Sequence, residues 1–471
     1  MIAHSLLQRL EILLGPENLI TGAEADPYLK ERRGLFHGVT PAVVKPASTE
    51  DVAAVVRLAR DTGTAIVPQG GNTGLVGGAV PDESGTAIVL NLSRMNRIRA
   101  LDPDGNTMVI EAGATLAEAR QAAASVNRFY PLTLAPEKFC TIGGTLSTNA
   151  GGLNVLAYGS ARDFVLGLEV VLADGRIWNG LRTLRKDNTG YDLKHLFTGA
   201  EGTLGIITAA ALKLFSRPRA TATALFGVDT PEQALALFRR ARSEAGPEVT
   251  AAEFLPLFGM KLAAAKLDRP LPRGAVCPWY VLIELNSVID HDVGAVMRRI
   301  ARGALESGEA VRAAIASGEK ERARLWAYRE IMSDAQGLAG TSIKHDVSVP
   351  VADVPAFIHE ATEAALRTVP GCRPCPFGHL GDGNVHFNIS QPEGADGAAF
   401  IGRWYEMNAA IHAVVTRFNG SIAAEHGVGR LKASLLPGVK SEVELDLMRA
   451  LKRTLDPHGI LNPGVVLANP H

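Results

Sequence analysis

Three stretches dense in glycine set the strongest limit on how this chain can fold: Pro68-Gln-Gly-Gly-Asn-Thr-Gly-Leu-Val-Gly-Gly78, Thr141-Ile-Gly-Gly-Thr-Leu-Ser-Thr-Asn-Ala-Gly-Gly152 and Thr198-Gly-Ala-Glu-Gly-Thr-Leu-Gly-Ile-Ile-Thr208. Backbone without Cβ atoms can reach positive φ and come close to a ligand or to other backbone. The first stretch follows a segment with strand character, and consecutive N–H groups in such a loop can converge into a nest that holds a pyrophosphate without a cationic side chain. The Lys-Ser/Thr pair of a phosphate-binding P-loop is missing, and so is the glycine spacing that opens a dinucleotide-binding helix. Each stretch alone could be an ordinary tight turn, but three in this order are far more specific.

Between the stretches the pattern mixes helix and strand irregularly, which predicts an α+β fold. Val52, Val55, Val56 and Ala59 recur at helical spacing over residues 49–60, ahead of a strand at 64–68. Further strands are expected at 86–92, 107–111 and 165–173, the last running into an Asp174-Gly175 turn, and Thr115-x-x-Glu118 reads as a capping box. Near residue 216 the glycine-rich texture ends, so the expected domains are 1–215, 216–420 and a C-terminal segment, 421–471. That segment carries a second capping box, Ser441-x-x-Glu444, and a helix with Leu445, Met448, Leu451 and Leu455 on one face for packing.

A formal net charge of −1 in a chain with 21 % charged and 46 % apolar residues gives nucleic acid and anionic lipid nothing to attract, so a small-molecule partner is expected. No integral membrane segment or secretion signal is read at the N-terminus, and the expected location is cytoplasmic. Four cysteines make no disulfide framework, and Cys372-Arg-Pro-Cys375 lacks the further soft ligands of a zinc site.

His379 and His386 flank a Gly/Asp/Asn turn in Gly378-His-Leu-Gly-Asp-Gly-Asn-Val-His-Phe-Asn388, and period-two alternation puts His386 and Asn388 on one face. Two histidines with one carboxylate, for which Glu425 is available in Glu425-His-Gly-Val-Gly429, would suit a catalytic metal, although on spacing alone two such histidines are more often unrelated than ligands. Arg329 and Ser333, four apart in a helical segment, and Lys344, on the polar face of an alternating strand, could meet an anion or could be solvated surface charge.

Taken together, PQGGNTGLVGG, TIGGTLSTNAGG, RKDNTGYDL, GTLGIIT, GHLGDGNVHFNI, EHGVGR and LNPG resemble the flavoproteins of the vanillyl-alcohol-oxidase type. Within that group the chain is most similar to D-2-hydroxyglutarate and D-lactate dehydrogenases. The resemblance implies a two-part FAD-binding domain and a mixed α+β substrate domain. Pro68, Gly70, Gly71, Asn72, Thr73, Gly74 and Leu75 would wrap the FAD pyrophosphate, with Gly143, Gly144, Ser147, Asn149 and Gly152 on its other side. Gly205 and Ile207 would hold the adenine end, and Asn462 would return with the C-terminal segment to the ring. Asn72 stands where some relatives carry a tethering histidine, so FAD is expected to be non-covalent. The resemblance further implies His379, His386 and Glu425 as ligands of a divalent metal, with zinc expected, and His426 as general base. Arg329, Ser333, Lys344 and Asn388 would bind substrate. Oxidation of D-2-hydroxyglutarate to 2-oxoglutarate is the leading expectation, with D-lactate, D-malate or glycolate as alternatives and a carrier flavoprotein or quinone as electron acceptor. A homodimer is left open. A flavin-free metal hydrolase would leave the three glycine-rich stretches without a purpose, and a subunit that merely carries FAD would have no use for the histidines.

Overall fold

Ser48 Oγ accepts from the backbone N–H of Asp51 and opens helix α1 (Thr49–Thr62), and Gly63, at φ 64°, closes it. Val52, Val55, Val56 and Ala59 form its buried face, and the chain turns directly into strand β1 (Ala65–Gln69). The helix thus runs two residues beyond its expected end, and the strand starts one residue later than expected. This computed structural model describes residues 2–272 and 276–468. They divide into two units: one from the N-terminal residues to 152, 159–217 and the residues from 425 onward, the other from 153–158 and 218–424.

The first unit contains two main sheets. Strand β2 (Ala87–Asn91) runs parallel to β1 and to the short strand Val43–Val44. The other sheet is antiparallel and contains β3 (Ile98–Asp102), β4 (Thr107–Glu111), β5 (Val165–Val171), β6 (Ile177–Asn179) and β7 (Ile206–Lys213) in the order β3-β4-β7-β5-β6. Central β7 is made of small and aliphatic residues, which a strand covered on both faces requires. Helix α2 (Leu116–Ser125) begins with the Thr115–Glu118 capping box. The short helix α3 (Ile142–Ser147) is capped by Thr141, whose side chain accepts from Gly144 N. The helix Glu442–Leu455 carries its Ser441–Glu444 box, but of the four leucine and methionine positions expected to pack only Leu445 is buried, and Leu451 is 39 % exposed. After it, Leu461 bridges Ile66 in parallel and Asn462 N donates to Ile66 O at 2.8 Å, so the C-terminal segment lies along β1.

The second unit is built on an antiparallel sheet of β8 (Ala220–Val228), β9 (Val249–Pro256), β10 (Trp279–Ser287), β11 (Arg312–Ile315), β12 (Ser342–Ile343), β13 (Asp346–Ser348), β14 (Arg373–His379) and β15 (Asn384–Ser390). The order is β11-β8-β10-β9-β14-β15-β12, and β13 also pairs with β15. Helix α4 (Glu319–Glu330) docks on this sheet through Arg322, Trp326 and Arg329, which share one helical face at three- and four-residue spacing. Arg322 makes a bidentate pair with Glu284 of β10, at 2.8 and 3.0 Å, and Trp326 Nε1 donates to the same carboxylate at 2.7 Å. Leu282, Tyr328, Met332 and Phe377 fill the core beneath.

Candidate functional site

In the first unit the glycine-rich stretches meet one another. A Cβ on Gly70 would lie 2.2 Å from Thr141 Oγ1, and one on Gly71 only 1.7 Å from the carbonyl oxygen of Phe139. These two glycines are therefore required by contact between the first stretch and the second. Gly74 differs, because a Cβ there would meet nothing within 4 Å. Asn72 reaches φ 50° and ties its Nδ2 to Lys30 O at 2.9 Å. Among the described residues no protein acceptor takes the N–H groups of Gly71, Asn72, Thr73, Gly74 and Leu75. Pro68 lies in β1, against Gly202 of the third stretch.

On the second stretch, Gly143 packs against Ala112. Asn149, at φ 49°, accepts from Ser160 Oγ and Arg162 N, which fixes the turn. The backbone oxygen of Ser147 accepts from Glu201 N at 2.8 Å. Gly144 caps against Thr141, and Gly152 N donates to Glu425 Oε2 at 3.0 Å. Gly205 sits against Val170 and Phe197 at the entry to β7, where Ile207 is buried. Asn462, at φ 46°, donates from Nδ2 to Gly78 O (2.9 Å) and Glu201 O (2.7 Å), while its buried Oδ1 has no partner among the described residues. Glu425 Oε1 and His426 Nε2 are 3.8 Å apart.

The second unit gathers the other predicted residues. His379 ends β14 opposite Glu253 of β9, and its Nδ1 lies 2.7 Å from Glu253 Oε1. A ring nitrogen against a carboxylate carries the proton, so in the neutral imidazole Nε2 is the nitrogen with the lone pair. Arg329, 8 % exposed, donates from Nε to the other oxygen of Glu253 at 2.5 Å and sets Nη2 3.3 Å from His379 Nε2. Its guanidinium also stands over the Phe377 ring. Burial alone pushes the Glu253 carboxyl up, but the Arg329 charge and the His379 ring outweigh it and bring it down to about 2. The His386 ring centre is 5.4 Å from that of His379, and its Nδ1 is 3.7 Å from Asp346 Oδ1, on the residue facing it in β13.

The tight loop between the histidines depends on Gly378 and Gly383. Both take positive φ, and a Cβ on Gly383 would lie 2.1 Å from Val349 O. Ser333 and Lys344 are bonded to each other, Nζ to Oγ at 3.0 Å. Ser333 lies in a separate turn, α5 (Met332–Ala335), because α4 stops at Glu330. Lys344 occupies the break between β12 and β13 and not a continuous strand. Asn388 Nδ2 donates to the buried Gln336.

Sequence reasoning missed Glu253, Asp346 and Glu201. Each left a signal: a lone carboxylate within the apolar run Val-Thr-Ala-Ala-Glu-Phe-Leu-Pro, an acid within Ile-Lys-His-Asp-Val, and a glutamate in a glycine turn.

Residues 217–466 match the model of the C-terminal domain of FAD-linked oxidases, and residues 40–180 match an FAD-binding domain. The chain belongs to the FAD-linked oxidase family. Curated relatives include the D-2-hydroxyglutarate–pyruvate transhydrogenase of Saccharomyces cerevisiae, 35 % identical over 98 % of this chain and 92 % of the relative. The D-2-hydroxyglutarate dehydrogenase of Stutzerimonas stutzeri is 33 % identical over 98 % and 99 %, and the mitochondrial enzyme of Danio rerio is 37 % identical over 90 % and 78 %. Among solved structures, p-cresol methylhydroxylase superposes with a TM-score of 0.77 at 16 % identity, covering all of this chain and 98 % of that one. An alkyldihydroxyacetonephosphate synthase gives 0.74 at 20 %, covering 98 % and 84 %. These likenesses establish the vanillyl-alcohol-oxidase-type fold.

The protein is thus an FAD-dependent oxidoreductase, and its first unit fits the cofactor. Five successive amides without a protein acceptor among the described residues suit a pyrophosphate, and the buried Asn462 Oδ1 is an acceptor that a ring N–H would satisfy. Among the described residues no helix is long and apolar enough to cross a membrane.

Proposed function

We propose that this FAD-linked oxidase oxidises a D-2-hydroxy acid bearing a second carboxylate, with D-2-hydroxyglutarate as substrate and 2-oxoglutarate as product. The observation that carries this reading is Arg329. It is buried and clamped by Glu253, yet among the described residues its Nη1 has no hydrogen-bond partner, and it stands beside His379. A buried guanidinium with unused donors is a carboxylate receptor fixed in advance, and a substrate that leaves it unpaired binds less well. Lys344, with Ser333, supplies a second cation in the same unit. D-Lactate and glycolate offer no second carboxylate to these groups, whereas D-malate does.

In this reading non-covalently bound FAD would supply the acceptor for the hydride that leaves C2 of the substrate. A ring nitrogen of His426 takes the hydroxyl proton, the general-base role open to an imidazole lone pair. Arg329 and Lys344 orient the two carboxylates, and Asn388 completes the substrate contacts. By residue type, His379, His386 and Glu425 would suit a divalent metal such as zinc, which would acidify the substrate hydroxyl. Glu253 stands 2.7 Å from His379 Nδ1, which in the neutral ring leaves Nε2, with Arg329 Nη2 3.3 Å away, as the nitrogen with a lone pair. Electrons would then pass to a carrier flavoprotein or quinone. The name of the yeast relative favours a second reading for this last step, a 2-oxo acid such as pyruvate as oxidant.

The test is anaerobic titration of the purified holoprotein with D-2-hydroxyglutarate, D-malate, D-lactate and glycolate, before and after chelator treatment. Bleaching of the visible flavin band by the dicarboxylates alone, abolished by the chelator, is the expected result. Equal bleaching by D-lactate overturns the role given to Arg329, and bleaching that survives complete metal removal overturns the metal.

A further inference from the structure

Glu201 has no part in the reading above, yet it is the point at which three segments of the first unit are joined. It sits in the third glycine-rich stretch at φ 50°, a backbone conformation that few non-glycine residues adopt. Its side chain is withdrawn from solvent, at 8 % exposure. Oε1 accepts from Val428 N at 2.7 Å and Oε2 from Gly429 N at 2.9 Å, so the carboxylate grips two successive amides of the turn that begins with Glu425 and His426. The fit is close: a Cβ on Gly427 would lie 2.8 Å from Oε1, and one on Gly78 3.1 Å from Oε2. The backbone of Glu201 meanwhile donates to Ser147 O and accepts from Asn462 Nδ2.

We propose that Glu201 is a positioning residue that locks the Glu425–His426 turn in its working conformation. The turn is held at both ends. Gly152 N fixes the Glu425 carboxylate at one end, and Glu201 fixes residues 428 and 429 at the other. His426 has a backbone neighbour on its C-terminal side, Gly427 at φ 83°, that would otherwise swing freely. A glutamine cannot replace the glutamate in its ionised form, which is the form compared when the measurements are made above about pH 7. It offers one acceptor oxygen, and its amide N–H₂ would confront the second backbone N–H. An alanine in place of Gly427 would collide with the same carboxylate.

This inference rests on the proposed roles of Glu425 and His426, and its test separates the two. Glu201→Gln and His426→Asn are prepared as holoproteins alongside the parent. For each, flavin content, hydrogen exchange of the peptide spanning residues 425–430, and kcat and KM for the hydroxy acid are measured. E201Q is expected to retain its FAD while amide exchange in that peptide rises about tenfold. Its kcat should fall about 10–100-fold, as when an outer partner of a catalytic group is lost, with little change in KM. A merely structural role would lower flavin content and active fraction together and leave kcat per bound flavin at the parent value, which overturns the proposal. So does parent-like exchange and turnover in E201Q when H426N is inactive. A fully active H426N overturns the reading of His426 itself, and with it the catalytic role assigned to the turn. If E201Q does not fold, Gly427→Ala disturbs the same contact from the other side and must show the same separation of kcat from KM.

Discussion

Replacing Glu253 by glutamine is the sharpest probe of how the substrate side of the protein is held together. The parent carboxylate serves two donors at once, Arg329 Nε on one oxygen and His379 Nδ1 on the other. Glutamine can still accept from one of them, but its amide N–H₂ must then face the other donor, and the Arg329 charge loses its counter-ion in a site only 8 % exposed. Removing one partner of a buried pair costs about 3–5 kcal/mol, because the remaining charge is desolvated without compensation. Glutamine keeps the shape, so the low end, about 3 kcal/mol, is expected. For a domain of roughly 200 residues, 1 kcal/mol shifts the midpoint by about 2–4 °C, so thermal unfolding should fall by about 6–12 °C. Three of the four tryptophans, Trp279, Trp326 and Trp404, lie in the second unit and Trp178 lies in the first, so fluorescence-monitored unfolding reports mainly on the second unit. The double variant E253Q/R329M removes both charges and should recover stability to within about 1 kcal/mol of the parent while remaining inactive. An E253Q midpoint equal to that of the parent, or a double variant no more stable than the single one, would refute the reasoning.

Three further outcomes follow from the first unit. Burial raises the Glu201 carboxyl to about 7, against the opposing pull of the Val428 and Gly429 amides and Lys432. The fold therefore holds that proton more tightly than the unfolded chain does, and the contribution is complete below the unfolded value of 4.5 and lost as pH rises through about 7. The difference in unfolding free energy between parent and E201Q should accordingly shift by about 3 kcal/mol between roughly pH 4.5 and 8, with the parent favoured at the acid end; a pH-independent difference contradicts the assignment. Gly71→Ala should destabilise the apoprotein by about 1–3 kcal/mol, because its Cβ would meet the Phe139 carbonyl. Gly74→Ala, facing open space, should leave apoprotein stability unchanged and weaken only FAD binding, read by flavin fluorescence.

Much of the local structure is legible in the sequence. The Thr115–Glu118 and Ser441–Glu444 boxes open helices as expected, and 107–111 is a strand to the residue. The alternation in β15 also holds, with His386 and Asn388 on one face. Other features are blurred. Spacing puts Arg329 and Ser333 on one helix, but α4 ends between them, and the apolar face of the last helix is largely uncovered. Periodicity reports which face of a helix is apolar, not whether anything packs against it.

The family follows from the sequence alone, because the glycine-rich stretches and the histidine turn are local words whose meaning depends on residue type and spacing. What those words cannot contain is the identity of distant partners. Glu253 and His379 are 126 residues apart and meet only because β9 and β14 pair in one register. Glu201 and Gly429 are 228 apart. A carboxylate in an apolar strand, or in a glycine turn, is neutral information until folding brings its donors within about 3 Å and removes the water that would otherwise satisfy it. Residue chemistry and local conformation are written along the chain; desolvated, charge-matched contacts exist only once the sheets have closed.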